Sequence, residues 1–478
     1  MRPSEYFGEK AWALPRRPDP LSTLMWRCEE DPALRPALVG VMLLDRPPDP
    51  RRFLAGHEWA TRMIPRLRDR LVAPLLTPTM PIWSPDPDFD VTRHLHRAAL
   101  PQPADRRAVF DLAGRLAAAP FDLGRPLWES VLVEDVRDEA EPYHAAWLVK
   151  IHHCLADGPL IGFWLNTLLS RTRSPRPDKP QPPAPPRWLD TPLTEHLIGP
   201  LADEAAPAAK RLAHDAFAAA RSPIRKTIEL ATVAAKLLEV TTRPAGKPSP
   251  LLRPRGSTRR FAGVPIDLYR LRATARSFGV PVNAAYCAGL FAGIRLYHEA
   301  HRVTVPSVPA AITMPAVHTG PRGGNRFNGG KFSGPLDDQD PKSLCRTIAQ
   351  RLARAAPPFP PAALDLVLGC VNQLPNTALL PMARSLGRSS DIQISHVVTL
   401  GREAYVSGAR VEQIWGFAPA PGCAAMALLL TRRSQGTLGL TLDTAAIPDP
   451  ATFASCIVVG FAEVLGCGAG LGEPSALR

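Results

Sequence analysis

The chain is 478 residues long, 45% hydrophobic and 21% charged, a globular balance with ample length for two domains that each bury a core. Lys and Arg outnumber Asp and Glu by 57 to 44, and the formal charge of +13 favours anionic partners: nucleic acid, acidic lipid headgroups or a phosphorylated cofactor. Nucleic acid is the weakest of these and no nucleic-acid partner is expected, since aromatics are only 6% and no zinc-finger spacing, RNA-recognition signature or aromatic-basic interleaving is present.

The opening run MRPSEYFGEKAW has no apolar core of signal-peptide length. Ala37 to Leu44 reads as a strand ending at the proline-rich turn Arg46 to Pro50, and Arg51 to Arg70 as a helix. The prolines and aspartates of PIWSPDPDFDVTRHL, Pro81 to Leu95, argue for an irregular loop leading into a strand, with His94 and His96 as surface histidines flanking it. Arg106 to Ala118 is helical, with Val109, Leu112 and Leu116 on one side. Phe121 to Pro126 turns into a strand starting at Trp128. In that turn Arg125 and Pro126 orient the chain and Leu127 follows, while Trp128 is either a core residue at a strand start or the wall of a lipid-sized cleft.

The stretch from Ala146 to Ser170, AWLVKIHHCLADGPLIGFWLNTLLS, organises the rest. Its first part is apolar and β-prone around a single lysine, and it stops at His152 and His153. Asp157 supplies an N-cap, Gly158 gives the turn a backbone angle or a close approach, and Pro159 opens a helix. Leu160, Phe163, Trp164, Thr167 and Leu168 give that helix one apolar face. Neighbouring side chains on a strand point to opposite sides, so one imidazole of the pair faces a cleft and the other the fold. An imidazole titrating near ~6.5 is suited to take a proton from an alcohol or amine at neutral pH. The bland alternative is that both histidines cap a strand and Asp157 merely caps a helix.

Arg171 to Pro186, RTRSPRPDKPQPPAPP, is a semi-rigid, polyproline-like connector and marks a domain boundary. Leu201 to Val240 reads as two helices broken near Ser222 and Pro223. Leu212, Phe217, Ile228, Val233 and Leu237 interleave there with basic residues such as Lys210, Arg221 and Lys236. That pattern either lies on an anionic bilayer or lipid droplet, or bridges two domains with its basic face in water. The second domain starts near Ser257, with strands expected at Arg259 to Leu268, Val308 to Met314, Lys331 to Leu336, Ile392 to Thr399, Ala409 to Gly416, Ala424 to Arg432 and Thr437 to Asp443. Helices are expected at Tyr269 to Phe278, Asn283 to Ala300, Lys342 to Ala355, Ala362 to Leu374 and Asp449 to Leu465. Phe453 to Gly472 is interrupted by Glu463 and reads as a terminal core helix, and no segment offers the ~18 uninterrupted apolar residues of a spanning helix. The eight cysteines include no CxxC pair and no His at metal spacing, so no metal site is expected and a reducing, cytoplasmic compartment is the simplest inference. Cys154 is read as a spacer rather than a nucleophile.

The order HHxxxDG, carried by His152, His153, Asp157 and Gly158, resembles the active-site motif of acyl-CoA-dependent acyltransferases related to chloramphenicol acetyltransferase and condensation domains. PFDLGRPLWESVLVE (Pro120 to Glu134), VPVNAAYCAGLFAGIRLY (Val280 to Tyr297) and GNRFNGGKFSGP (Gly324 to Pro335) resemble segments of the bacterial wax ester synthase/diacylglycerol acyltransferase family, in the same order. The resemblance runs from about Asp19 to the C-terminal helix. It implies two chloramphenicol-acetyltransferase-like, two-layer α/β sandwich domains, over residues 1–171 and 257–478, joined by a linker and helices over 172–256.

The resemblance further implies an O-acyltransferase with His153 as general base, moving a long-chain acyl group from acyl-CoA to a fatty alcohol or diacylglycerol without an acyl-enzyme. His152 points into the fold, and Asn283 is the implied oxyanion donor. Acyl-CoA is then a co-substrate, no cofactor is tightly bound, and contact with a membrane or lipid droplet is peripheral. Two departures stand out: Ala284 replaces the aspartate of the family's Asn-Asp pair, and ISHVVTL (Ile394 to Leu400) keeps Ser395 and Val397 of a Ser-Asn-Val-Pro-Gly turn but has His396 and Val398. They leave room for another acceptor, such as a polyol, sugar or carrier-bound metabolite, or for a catalytically weak lipid-surface protein.

Overall fold

The computed structural model describes residues 15–73, 81–138, 141–175, 244–315, 327–355, 361–399 and 401–466. The expected basic helices of 201–240, most of the proline-rich connector and the Gly-Asn-Arg triplet starting at Gly324 lie outside the described residues. In chain order the elements are α1 (Pro20–Arg27), β1 (Ala37–Leu44), α2 (Pro50–Met63), β2 (Asp69–Val72), β3 (Ile82–Pro85), β4 (Leu95–Arg97), α3 (Arg106–Ala118), β5 (Trp128–Val133), β6 (Ala145–His152) and α4 (Gly158–Leu168). After the connector come β7 (Arg259–Asp267), α5 (Leu268–Phe278), α6 (Val282–Ala300), β8 (Ser307–Pro315), β9 (Phe327–Pro335), α7 (Pro341–Arg354), α8 (Pro361–Val371) and α9 (Asn376–Arg388). The chain finishes with β10 (Ile392–Val398), β11 (Tyr405–Val406), β12 (Ala409–Phe417), β13 (Ala425–Arg432), β14 (Gln435–Asp443) and α10 (Pro450–Val464).

Two six-stranded sheets carry the fold, in the orders β11-β12-β1-β6-β5-β4 and β7-β14-β13-β10-β8-β9. The mixed α/β sandwich class is the one expected. The first sheet, however, ignores the division of the chain at residue 257: β12, from the C-terminal half, pairs antiparallel with β1, matching Val39 with Phe417 and Val41 with Trp415. An unpaired β1 edge would expose a row of backbone donors and acceptors, and β12 covers it.

On one face of the first sheet Val39, Val41, Val131 and Leu148 pack against Val109, Phe110 and Ala113 of α3. On the other, Met42, Leu44, Leu132 and Trp147 share a cluster with Met426, Leu428 and Leu430 of β13, so the two sheets meet there. The second sheet's outer face is covered by α6 and α10, through Tyr286, Phe291, Ile294, Phe453, Ile457 and Phe461. The alternation of inward and outward residues along β13 (Ala427 and Leu429 one way, Met426, Leu428 and Leu430 the other) lets one strand serve both cores.

Three expectations need correction. The helix expected over 51–70 stops at Met63, because Pro65 lacks an amide hydrogen and disfavours helical backbone at Ile64; a short 3₁₀ turn, Pro65–Arg68, follows. Residues 376–388, assigned to no element from the sequence, form α9 despite Pro381 inside it. His94 is not a surface histidine. Its ring is buried and stacks on Trp128 at 4.5 Å, and its Nδ1 lies 2.8 Å from the Trp128 carbonyl oxygen.

Candidate active site

The site starts at the end of β6, whose side chains alternate. Lys150 and His152, on the α3 side, are fully buried, whereas His153, just past the strand end, is half-buried. The backbone here is pinned from both sides. His152 N–H donates to the Leu127 carbonyl at 3.0 Å, and His153 N–H donates to the Pro36 carbonyl at 2.9 Å. β5 runs beside β6 with Trp128 opposite Ile151, so the Pro126-Leu127-Trp128 segment lies against the histidine pair. Leu127 and Trp128 are enclosed: the indole N–H of Trp128 donates to the Leu67 carbonyl at 2.8 Å, and its ring lies between His94 and His57. Of the two readings of Trp128, packing is the one this burial supports.

His152 is held as a neutral ring. The Cys154 amide donates to its Nδ1 at 3.1 Å, which leaves the proton on Nε2, 3.6 Å from a carboxylate oxygen of Glu29. Burial depresses the His152 pKa to about 3 and raises that of Glu29. Glu29 is in turn fixed by the Phe121 amide, which donates to it at 2.9 Å. Lys150 donates to Glu129 and to the Ala119 carbonyl, each at 3.0 Å, and lies 3.9 Å over the Phe121 ring. Glu29 and Phe121 were not singled out from the sequence. The one available signal was the lone lysine in an apolar strand, at the same parity as His152, because a buried ammonium requires partners.

Asp157 caps α4, its carboxylate accepting from the Leu160 amide at 2.9 Å. Gly158 is needed for close approach rather than for an unusual backbone angle: a Cβ there would sit 2.8 Å from Cγ2 of Val397 on β10. The HHxxxDG turn thus docks onto the second sheet at the ISHVVTL strand, and Trp164 of α4 is buried with Leu127, Trp128 and Leu155. Cys154 is fully buried and burial raises its thiol pKa well above the ordinary value, which fits a spacer.

Alternation along β10 separates the remaining candidates. Ser395 and Val397 share one face of the strand; His396 points to the other, towards the start of α6. There Asn283 Oδ1 lies 2.7 Å from His396 Nδ1, and Thr431 Oγ1 lies 3.2 Å from Nε2. An amide oxygen only accepts, so Nδ1 carries the proton and Thr431 donates to Nε2. Burial, followed by the charge of Arg272, lowers the His396 pKa. Asn283 is therefore engaged on the far face of β10 from the Val397–Gly158 contact. Ala284 is fully buried in the core beneath α6. Among the described residues, no three His, Cys, Asp or Glu side chains converge on a metal site.

The sequence model of the wax ester synthase/diacylglycerol acyltransferase catalytic domain matches residues 20–286, and that of the family's C-terminal domain matches residues 323–464. The chain belongs to this family. A putative diacylglycerol O-acyltransferase of Mycobacterium tuberculosis is 32% identical over 463 residues, covering 94% of this chain and 92% of the relative. A second from the same organism is 29% identical over 307 residues, covering 62% of this chain and 57% of the relative. Among solved structures, the wax ester synthase/diacylglycerol acyltransferase from Marinobacter aquaeolei VT8 superposes with a TM-score of 0.63 at 19% identity, covering 94% of this chain and 98% of that one. The first condensation domain of the calcium-dependent antibiotic synthetase gives 0.58 at 15% identity, covering 98% of each chain. These two likenesses establish the fold, and the family membership makes the protein an acyltransferase.

Proposed function

We propose that the protein transfers a long-chain acyl group from acyl-CoA to a fatty alcohol or diacylglycerol, with His153 as general base. The observation that carries this reading is the contrast within the histidine pair: His152 is sealed and locked neutral, while His153, at the strand end five residues before the Gly158 contact with β10, is only partly buried, with Nδ1 turned inward. His153 takes the hydroxyl proton of the acceptor and the oxygen attacks the thioester carbonyl carbon. The tetrahedral intermediate collapses with cleavage of the carbon–sulfur bond, and the departing thiolate takes the proton from the same imidazole. No acyl-enzyme is formed.

Asn283, committed to His396, is assigned to holding the end of β10 rather than to binding the oxyanion. Ala284 lies in the core, so its difference from the family's aspartate concerns packing under α6. We also propose a cytoplasmic protein in peripheral contact with a membrane or lipid droplet, a reading supported by the basic surplus and the amphipathic 201–240 sequence. Among the described residues, no single helix is long and apolar enough to cross a membrane.

The test offers hexadecanol and diacylglycerol, with labelled palmitoyl-CoA, to purified wild type and His153→Ala, with thin-layer analysis of the products. Wild type forms labelled ester and the variant loses it while keeping its circular dichroism. Equal ester output from both proteins overturns the assignment.

A further inference from the structure

A cavity of about 430 Å³ opens between the two halves of the chain on the α3 side of the first sheet, apart from the HHxxxDG residues. Its walls carry four arginines, Arg35, Arg115, Arg259 and Arg260, against one carboxylate, Asp111. Two of the arginines are already engaged by the protein and contribute mainly their charge: Arg35 donates to the Ala118 carbonyl on the same wall at 2.6 Å, and Arg259 donates to the Gly256 and Ala420 carbonyls at 3.0 and 3.1 Å and lies 3.0 Å from the buried Asp443. The other two are at the mouth. Arg260 meets Asp111 at 3.3 Å with both side chains partly exposed, and Arg115 is exposed with no ion pair among the described residues.

We propose that this groove binds the nucleotide phosphates of the coenzyme A moiety of the acyl donor, an inference that rests on the acyl-CoA-dependent reading above. Guanidinium forks match phosphate oxygens in pairs, and positive charge gathered in a concave site concentrates an anionic ligand. Ser257 and Thr258, on the same wall, add hydroxyl and backbone donors. The location also fits. Arg35 Nε lies 3.9 Å from one oxygen of Glu29, and the other oxygen of Glu29 lies 3.6 Å from His152, so one buried carboxylate separates the groove from the motif. With its phosphates in the groove, the donor's flexible arm has to round the end of β6, because His153 lies on the opposite side of the strand from the groove.

The experiment compares wild type, Arg115→Glu/Arg260→Glu and the control Arg107→Glu, an exposed arginine of the same helix outside the groove. Calorimetric titration with coenzyme A shows a roughly tenfold or larger loss of affinity in the double variant, the scale of one charge-assisted contact removed. Pantetheine, which lacks the nucleotide phosphates, binds wild type and double variant alike. The loss appears in KM for palmitoyl-CoA rather than in kcat. Coenzyme A affinity equal to that of the control overturns the proposal. So does a double variant that keeps coenzyme A affinity but no longer floats with phosphatidylglycerol vesicles, which assigns the groove to lipid headgroups. Wild type that binds coenzyme A through these arginines without making ester sinks the proposed function and leaves the groove. Ester formation with coenzyme A affinity untouched in the double variant does the reverse.

Discussion

A general base has to be reachable while its surroundings hold it in one orientation, and at His153 these demands fall on different residues. Reach comes from its place one residue past the strand, where the ring leaves the α3-side core that encloses His152. Orientation comes from Leu127 and Pro36, which fix the backbone, and from the seating of Gly158 against Val397. That seating predicts a reciprocal pair. Gly158→Ala places a methyl group into Cγ2 of a β-branched, rotamer-poor side chain and should cost about 1–3 kcal/mol with loss of ester formation, while Val397→Ala in the same chain restores much of both. Chemical denaturation and product assay of the two single variants and the double form the cycle, and simple additivity would contradict the contact. The sequence already pointed to a turn in which Gly158 matters, because Asp-Gly-Pro at a helix start has few other uses. It could not say what Gly158 approaches, since Val397 is remote in the chain and nothing in either segment names the other.

Elements were legible where their period was clean. β1, β6, β12, α3 and α6 fall within a residue or two of expectation, because alternation or a helical stripe survives along their whole length. What the pattern could not carry was sheet membership. β12 reads as a strand like any other, yet with the short β11 it extends the first sheet while β10 before them and β13 after them build the second, and only the pairing with β1 shows this. α9 was obscured by Pro381, and its ordinary helical stripe goes unrecognised when a proline is taken as a stop. The exchange of β12 has a measurable consequence. β14 packs across β12, with Thr437 and Thr441 hydroxyls donating to the Ile414 and Ala418 carbonyls at 2.6 and 2.8 Å, and a Cβ at Gly439 would collide with the Gly416 carbonyl oxygen. Gly439→Ala is therefore expected to destabilise by about 3 kcal/mol, near the upper end for overpacking, because a backbone atom rather than a movable side chain must yield. Gly369→Ala is the counterpart. It lies in α8 with open space around it, and the gain in helix propensity should raise stability by roughly 0.5–1 kcal/mol. Thermal melts of the two variants should move in opposite directions; a melt for Gly439→Ala within a degree of wild type would refute the tight crossing.

At the scale of the whole molecule, two desolvated histidines, His152 of β6 and His57 of α2, tie stability to acidity. Burial holds His152 at a pKa of about 3 and His57 at about 4, the latter with its ring 3.0 Å from the Ser130 hydroxyl and 2.9 Å from the Phe53 carbonyl. In the unfolded chain both titrate near ~6.5. Below that pH the unfolded state binds protons that the folded state refuses, so stability falls as pH drops from about 6.5 towards 4 and then 3, by about 1.4 kcal/mol per pH unit for each histidine. Above 6.5 neither contributes a slope. Glu29 works in the opposite sense, because burial raises its pKa and the folded chain takes up that proton first, which offsets part of the loss. The discriminating variant is His152→Asn, whose amide oxygen can still accept from the Cys154 amide but cannot titrate. Its melting temperature should fall less than that of wild type between pH 6.5 and pH 4.5, with His57 and the other histidines whose pKa burial lowers, His94, His298 and His396, contributing to the slope that is left. Parallel melting curves across that interval would mean that His152 takes up its proton inside the fold, and the buried neutral ring that separates it from His153 would have to be abandoned.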